Sequence, residues 1–232
     1  MFVTFVEDTP ASKKIPWANT LMILLNVVVA YRALSQPDTL QVLGDYGFIP
    51  VRHLGWGFLT GPFLHSSWVQ LVTNMTFLFM FGKGVEERIG RRNYLFAYLL
   101  IAYFSEGVHW YFNQDSVLPL IGASRVVTGL GVMYLFMYPW GKMKWVFSFF
   151  GAPLLEIPSR TAYVMGFWAV IQLGLAFLPW GRMAALFHTM NKMGITLVTT
   201  NPTAGTAWKS HLGALALGTV LHFLMPQKKS KG

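Results

Sequence analysis

Ile121-Gly-Ala-Ser-Arg-Val-Val-Thr-Gly129 sets Ser124 and Arg125 near the start of an apolar run that continues to about residue 140. Ser210-His-Leu-Gly-Ala-Leu-Ala-Leu-Gly218 sets His211 at the matching place in another such run. An ionisable side chain inside a membrane-spanning helix is costly unless it faces protein or water. A serine and a histidine at the same depth are a candidate nucleophile and base, provided that their helices meet.

The composition supports reading these runs as spans. The chain has 232 residues, of which 54% are hydrophobic and 12% charged, too oily for an ordinary soluble domain of this length. It reads as one membrane domain over residues 1–232. The formal net charge of +9 would suggest nucleic acid in a soluble protein. Here the basic residues lie between apolar segments, where they set orientation, so no nucleic-acid partner is expected. The chain contains no cysteine, which excludes a disulfide framework, a cysteine nucleophile and a cysteine-based zinc site. No metal and no cofactor is expected. The first ten residues lack the basic start and long apolar core of a cleaved signal peptide, so the first span is expected to stay in the mature protein.

Six segments approach the roughly 20 apolar residues that a spanning helix needs: 16–34, 67–83, 93–112, 118–140, 161–180 and 205–225. The expected fold is therefore an all-α polytopic membrane protein with six transmembrane helices. Two amphipathic stretches fall outside the count. Residues 38–66, with Trp56, Phe58, Phe63 and His65, suit an interfacial external loop after the first helix; the other stretch covers 183–200. When the loops are assigned to alternating sides, Arg32, Arg52, Arg182 and Lys192 fall on one side. Arg125 and Lys209 lie in spans, and every other Lys and Arg falls on the opposite side. Cytoplasmic loops carry most of the basic residues, so residues 1–15 are expected to be a short cytoplasmic N-terminus and 226–232 a basic cytoplasmic tail. A bacterial inner membrane is the expected location, from the short termini and the absence of cysteine.

In this topology spans two, four and six run in the same direction. Gln70 and Asn74, Ser124, and His211 all come early in their spans and share one layer. Ser124, Thr128 and Gly131 have the spacing of one helix face, as do His211, Ala214 and Gly218. Small residues on such faces let helices approach closely. Gln70 and Asn74, four apart, offer amide donors for a developing oxyanion. Each feature also has a plainer reading: serine as a packing residue, small residues as helix contacts, the two amides bonded to each other, Lys209 snorkelling to the surface. The joint placement favours catalysis.

At these residues the chain resembles the rhomboid family of intramembrane serine proteases. The matching pieces are Thr60-Gly-Pro-Phe-Leu-His-Ser-Ser-Trp68, Gln70 to Met75 with Asn74, Phe81-Gly-Lys-Gly-Val-Glu-Glu-Arg-Ile-Gly90, Gly122-Ala-Ser124 with Gly129 and Gly131, and His211-Leu-Gly213 with Gly218. The resemblance implies that Ser124 is the nucleophile and His211 its base, without an acid. It implies that Asn74 and the Ser124 N–H help form an oxyanion hole, with Gln70 at the position of a family histidine. Glu86 and Glu87 would lie in an acidic turn after span two. Gly122, Gly131, Gly213, Ala214 and Gly218 are expected at helix contacts. Four departures stand out: Arg125 where the family commonly has glycine, Gln70, Gly57 after Trp56, and Ala214 for a second glycine. Arg125 is the most serious, because a long cation beside the nucleophile could block substrate, snorkel outward or stabilise the oxyanion.

Three functions follow as alternatives. The first is an intramembrane serine endopeptidase acting on transmembrane protein substrates in the lipid bilayer near its outer face. The second is an inactive rhomboid-like protein that binds membrane helices and affects their folding, trafficking or degradation. The third is a transporter or channel, which the missing internal repeat disfavours. A Ser-Lys variant of the first would use Lys209, about 200° from His211 around an ideal helix. The sequence carries no signal of oligomeric state.

Overall fold

The computed structural model describes residues 2–7, 15–52, 55–149, 152–167, 170 and 207–228. Most of expected span five and the whole 183–200 stretch, with Arg182 and Lys192, lie outside the described residues. In chain order the elements are β1 (Phe2–Glu7), α1 (Trp17–Leu34), α2 (Thr39–Tyr46), α3 (Trp56–Thr60), α4 (Trp68–Ile89), α5 (Arg91–Phe112), α6 (Ser124–Met137), β2 (Lys142–Phe149), β3 (Ala152–Arg160), a helical segment over 161–167, and α7 (Trp208–Leu224). Expected spans one, two, three, four and six correspond to α1, α4, α5, α6 and α7. Among the described residues, only α1 is both long and apolar enough to cross a membrane by that measure alone, and α6 is a shorter apolar helix. At 22 residues each, α4 and α5 are about 33 Å long. Both carry charges, clustered around the turn that joins them and, in α5, at Glu106.

The all-α expectation needs correction. β1, β2 and β3 form an antiparallel sheet in that order, with Phe2 opposite Ser148, Glu7 opposite Met143, and Lys142 opposite Arg160. Residues 2–7 are thus a strand rather than a plain tail. The sequence from 142 to 160 is too short and too interrupted to register as a span. Trp145, Val146 and Phe147 nevertheless favour extended backbone. A second correction concerns α4, which continues through Glu86 and Glu87 to Ile89. The break comes at Gly90, whose φ of 84° suits glycine.

Polar tethers define one end of the bundle. The Glu86 carboxylate accepts from the N–H groups of Ala18 at 3.2 Å and Asn19 at 2.8 Å, supplying α1 with the N-terminal cap that Pro16 cannot provide. The Lys228 N–H donates to the Arg88 carbonyl, and the Arg88 guanidinium lies 5.5 Å from the centre of the Tyr138 ring. The starts of α4, α6 and α7 therefore gather at the opposite end, beside residues 38–66. Between the ends, Leu78, Val85, Ile101, Leu130, Met133 and Ala214 pack in one core drawn from α4, α5, α6 and α7. Asn26 on α1 donates to the Tyr98 hydroxyl on α5 at 2.8 Å, and the Tyr94 hydroxyl donates to Asn19 at 2.7 Å, the interhelical bonding expected where water is scarce. Trp17, Leu21, Leu24, Val28 and Tyr31 leave the outer face of α1 apolar and exposed.

Candidate active site

Ser124 opens α6 rather than lying within a helix that starts at residue 118. The preceding chain is extended: Phe48 and Leu120 exchange backbone hydrogen bonds of 3.2 and 2.7 Å, and the Gly122 N–H donates to the Gly61 carbonyl at 3.0 Å. Gly122 has φ of 101°, a conformation that only glycine adopts readily. Helical bonding begins with Val127 donating to Ala123, so the Ser124 N–H lies among the first-turn donors that the helix itself does not use.

The amides of α4 point to this corner. Ser67 caps α4 by accepting from the Gln70 N–H at 3.2 Å. The Gln70 side-chain carbonyl in turn accepts from the Ser66 N–H at 2.7 Å and the Ser66 hydroxyl at 3.0 Å. The Ser66 N–H, which can only donate, fixes which end of the amide is oxygen and turns its NH2 toward Gly122. A methyl group built on Gly122 would stand 2.9 Å from Gln70 Nε2 and 3.8 Å from Asn74 Nδ2. Asn74 is buried, and its Nδ2 has no acceptor among the described residues.

His211 occupies the first turn of α7 and is half-buried, like Ser124. Its Nδ1 lies 2.8 Å from Thr128 Oγ1, and the Thr128 hydroxyl also reaches the Ser124 carbonyl at 2.9 Å. Among the described residues no hydrogen bond joins the Ser124 hydroxyl to His211. Helices α6 and α7 approach closely through Gly129 and Gly218, since a side chain on Gly218 would collide with the Gly129 carbonyl and one on Gly129 would stand 3.0 Å from the Ala214 carbonyl. Gly213 faces Val108 of α5, and Gly131 faces Phe81 and Met165 rather than α7. Lys209 lies 4.8 Å from the centre of the Phe112 ring and 5.6 Å from that of Trp208. Among the described residues no group of three or more His, Asp or Glu is placed to hold a metal ion.

A family model for the rhomboid domain matches residues 52–228, from just before α3 to the end of the described chain. The chain belongs to the rhomboid family. It is also 33% identical over 88 residues to Rhomboid-like protein 11, chloroplastic, of Arabidopsis thaliana, a match covering 38% of this chain and 30% of that protein. This chain therefore spans less than a third of that relative's length. Membership makes it an integral membrane protein, in a family whose members are in general intramembrane serine proteases, with inactive rhomboid-like proteins among them.

In this rhomboid Arg125 neither snorkels outward nor stands in an open approach to Ser124. It is 2% exposed, and its guanidinium donates to Glu106 of α5 at 3.2 Å. His65 and His109 are fully buried as well. Burial holds the His65 imidazole down at about 4 against its ordinary 6.5; its hydrogen bond to the Phe63 carbonyl pulls the other way, and the Arg125 charge adds to the lowering. The Glu106 partnership went unread in the sequence. Its signal was there in Glu106 and His109, ionisable residues one turn apart in an expected span and in need of a partner.

Proposed function

We propose that this rhomboid is an intramembrane serine endopeptidase. Ser124 attacks a peptide carbonyl of a substrate's transmembrane segment, and His211 takes the hydroxyl proton and returns it to the leaving amine. Water then hydrolyses the acyl-enzyme with His211 acting again as base. The oxyanion is met by the Ser124 N–H at the positive end of α6 and by the amides of Asn74 and Gln70. The observation that carries this reading is the pair of amide nitrogens aimed at Gly122, two residues before the serine. Asn74 Nδ2 in particular is a buried donor with no acceptor among the described residues, an arrangement that costs stability unless a ligand uses it. Gln70 keeps a donor where the family has a histidine.

A second reading, an inactive binder of membrane helices, draws on the His211 contact, which goes to Thr128 and not to the Ser124 hydroxyl. Catalytic hydrogen bonds often tighten only when substrate binds, so this contact leaves the protease reading in place. Labelling of the purified, reconstituted chain with a fluorophosphonate separates the two. Covalent modification of the parent that is lost in both Ser124→Ala and His211→Ala is expected. A parent that stays unmodified defeats the protease reading in favour of the binder.

A further inference from the structure

A base that works on Ser124 must present an unprotonated nitrogen, and a neutral imidazole has one such nitrogen in either of two tautomers. A dyad without an acid leaves that choice undecided. The hydrogen-bond polarity around Thr128 decides it. The Thr128 hydroxyl has one proton and two lone pairs. It lies 2.9 Å from the Ser124 carbonyl oxygen, which can only accept, so the proton goes there. Toward His211, 2.8 Å away, the oxygen is left as an acceptor, and the His211 nitrogen facing it must carry the hydrogen. That nitrogen is Nδ1. The lone pair then resides on Nε2.

We propose that Thr128 is a positioning residue that holds His211 in the Nδ1–H tautomer and leaves Nε2 as the base for Ser124. The assignment rests on the protease reading above. It gives the third place of a catalytic triad to a neutral hydroxyl. Thr128 is 1% exposed, and a carboxylate there would pay the cost of burying a charge. Helical threonine is suited to the task, because bonding to the carbonyl four residues back is one of its two preferred side-chain positions. Ser124 and Thr128 are one turn apart on α6, so the residue that orients the ring and the residue that uses it belong to one rigid element.

The test uses the full chain in bilayer discs, with Thr128→Val, which keeps the shape, and Thr128→Ser, which keeps the hydroxyl. Histidine 15N NMR, assigned with His211→Gln, reads the tautomer directly. The parent and Thr128→Ser are expected to carry the hydrogen on Nδ1, and Thr128→Val to lose that preference. In fluorophosphonate labelling, Thr128→Val should lower the rate constant of the covalent step about ten- to a hundredfold with apparent probe affinity unchanged, and Thr128→Ser should stay within about threefold of the parent. A parent protonated on Nε2, or a Thr128→Val protein that labels like the parent, overturns the assignment. A parent with the hydrogen on Nδ1 that labels nowhere instead defeats the protease reading and, with it, the catalytic purpose of the contact, while the geometry stands.

Discussion

Ser124 and Arg125 are consecutive residues about 100° apart around α6, and the two polar regions they face differ in charge and in access. Around Ser124 the groups are neutral: two amides, a hydroxyl and an imidazole, with serine and histidine half-buried. Around Arg125 the groups include a full cation and a carboxylate, shut away and bonded to each other at 3.2 Å. Neutral donors can wait at a site until charge develops on a substrate, since their burial costs little by comparison. A buried guanidinium cannot wait, because it is tolerable only with a partner already in place. The first region is suited to chemistry and the second to fixing α5 against α6.

That contrast can be broken by exchanging the consequences of mutation. Ser124→Ala should abolish labelling and proteolysis, a loss on the order of 10⁴ or more, with the thermal midpoint in detergent unchanged. Arg125→Met should do the reverse. Leaving Glu106 buried without its partner is expected to cost about 3–5 kcal/mol of stability, while the fraction that remains folded labels at nearly the parent rate. Combining Arg125→Met with Glu106→Gln should recover much of the loss, a coupling that a thermal double-mutant cycle measures. A stable Arg125→Met protein with faster labelling would show instead that the arginine restrains the serine, and the two regions would no longer be distinct.

Gln70→Glu sharpens the comparison within the first region. The carboxylate keeps an oxygen for Ser66, whose N–H and hydroxyl Gln70 now binds, and replaces the donor aimed at Gly122 with a charged acceptor that repels an oxyanion. Activity should fall about 10²–10³-fold if that donor meets the oxyanion. Asn74→Ala should cost a comparable factor while relieving a buried unsatisfied amide, so its midpoint should hold or rise. A Gln70→Glu protein with parental kinetics would leave Gln70 only its structural bonds to Ser66.

Much of this arrangement is legible in the sequence. The length of the apolar runs laid out the helices that are described, and matching depth placed Gln70, Asn74, Ser124 and His211 in one expected layer, with spans two, four and six running the same way. Three things were not legible, each for a physical reason. The sheet is not legible because its strands of six to nine residues are far shorter than the apolar runs of about 20 that mark a span. The start of α6 was misplaced because apolarity continues through Leu118, Leu120 and Ile121, whereas Pro119, the pairing of Leu120 with Phe48 and the positive φ of Gly122 hold that stretch out of the helix. Arg125 read as a block, an outward-reaching cation or an oxyanion donor because its sequence neighbour is the serine, whereas its spatial neighbour, Glu106, comes from the helix before. Spacing within a helix shows which residues share a face, not which helix that face meets.

The smallest expected effect tests whether the two regions communicate. His65 is fully buried and linked to both: its neighbour Ser66 orients Gln70, and the Arg125 charge helps to keep its imidazole neutral. With the folded value at about 4 and the ordinary value at 6.5, an opened segment binds a proton at pH values where the closed segment does not. Between those limits the open form holds more protons, so stability rises with pH. The contribution is complete above about pH 6.5 and is lost as pH falls toward 4, by at most about 3 kcal/mol. An opening of residues 61–66 that exposes the ring would also free Ser66 and with it the Gln70 amide. Thermal midpoints measured from pH 7.5 to 4.5 should therefore fall in the parent and fall less in His65→Gln, with labelling at low pH protected in the same variant. If His65→Gln kept the parent's slope, the acid sensitivity would belong to another group, and the charged region would have no route to the serine through this loop.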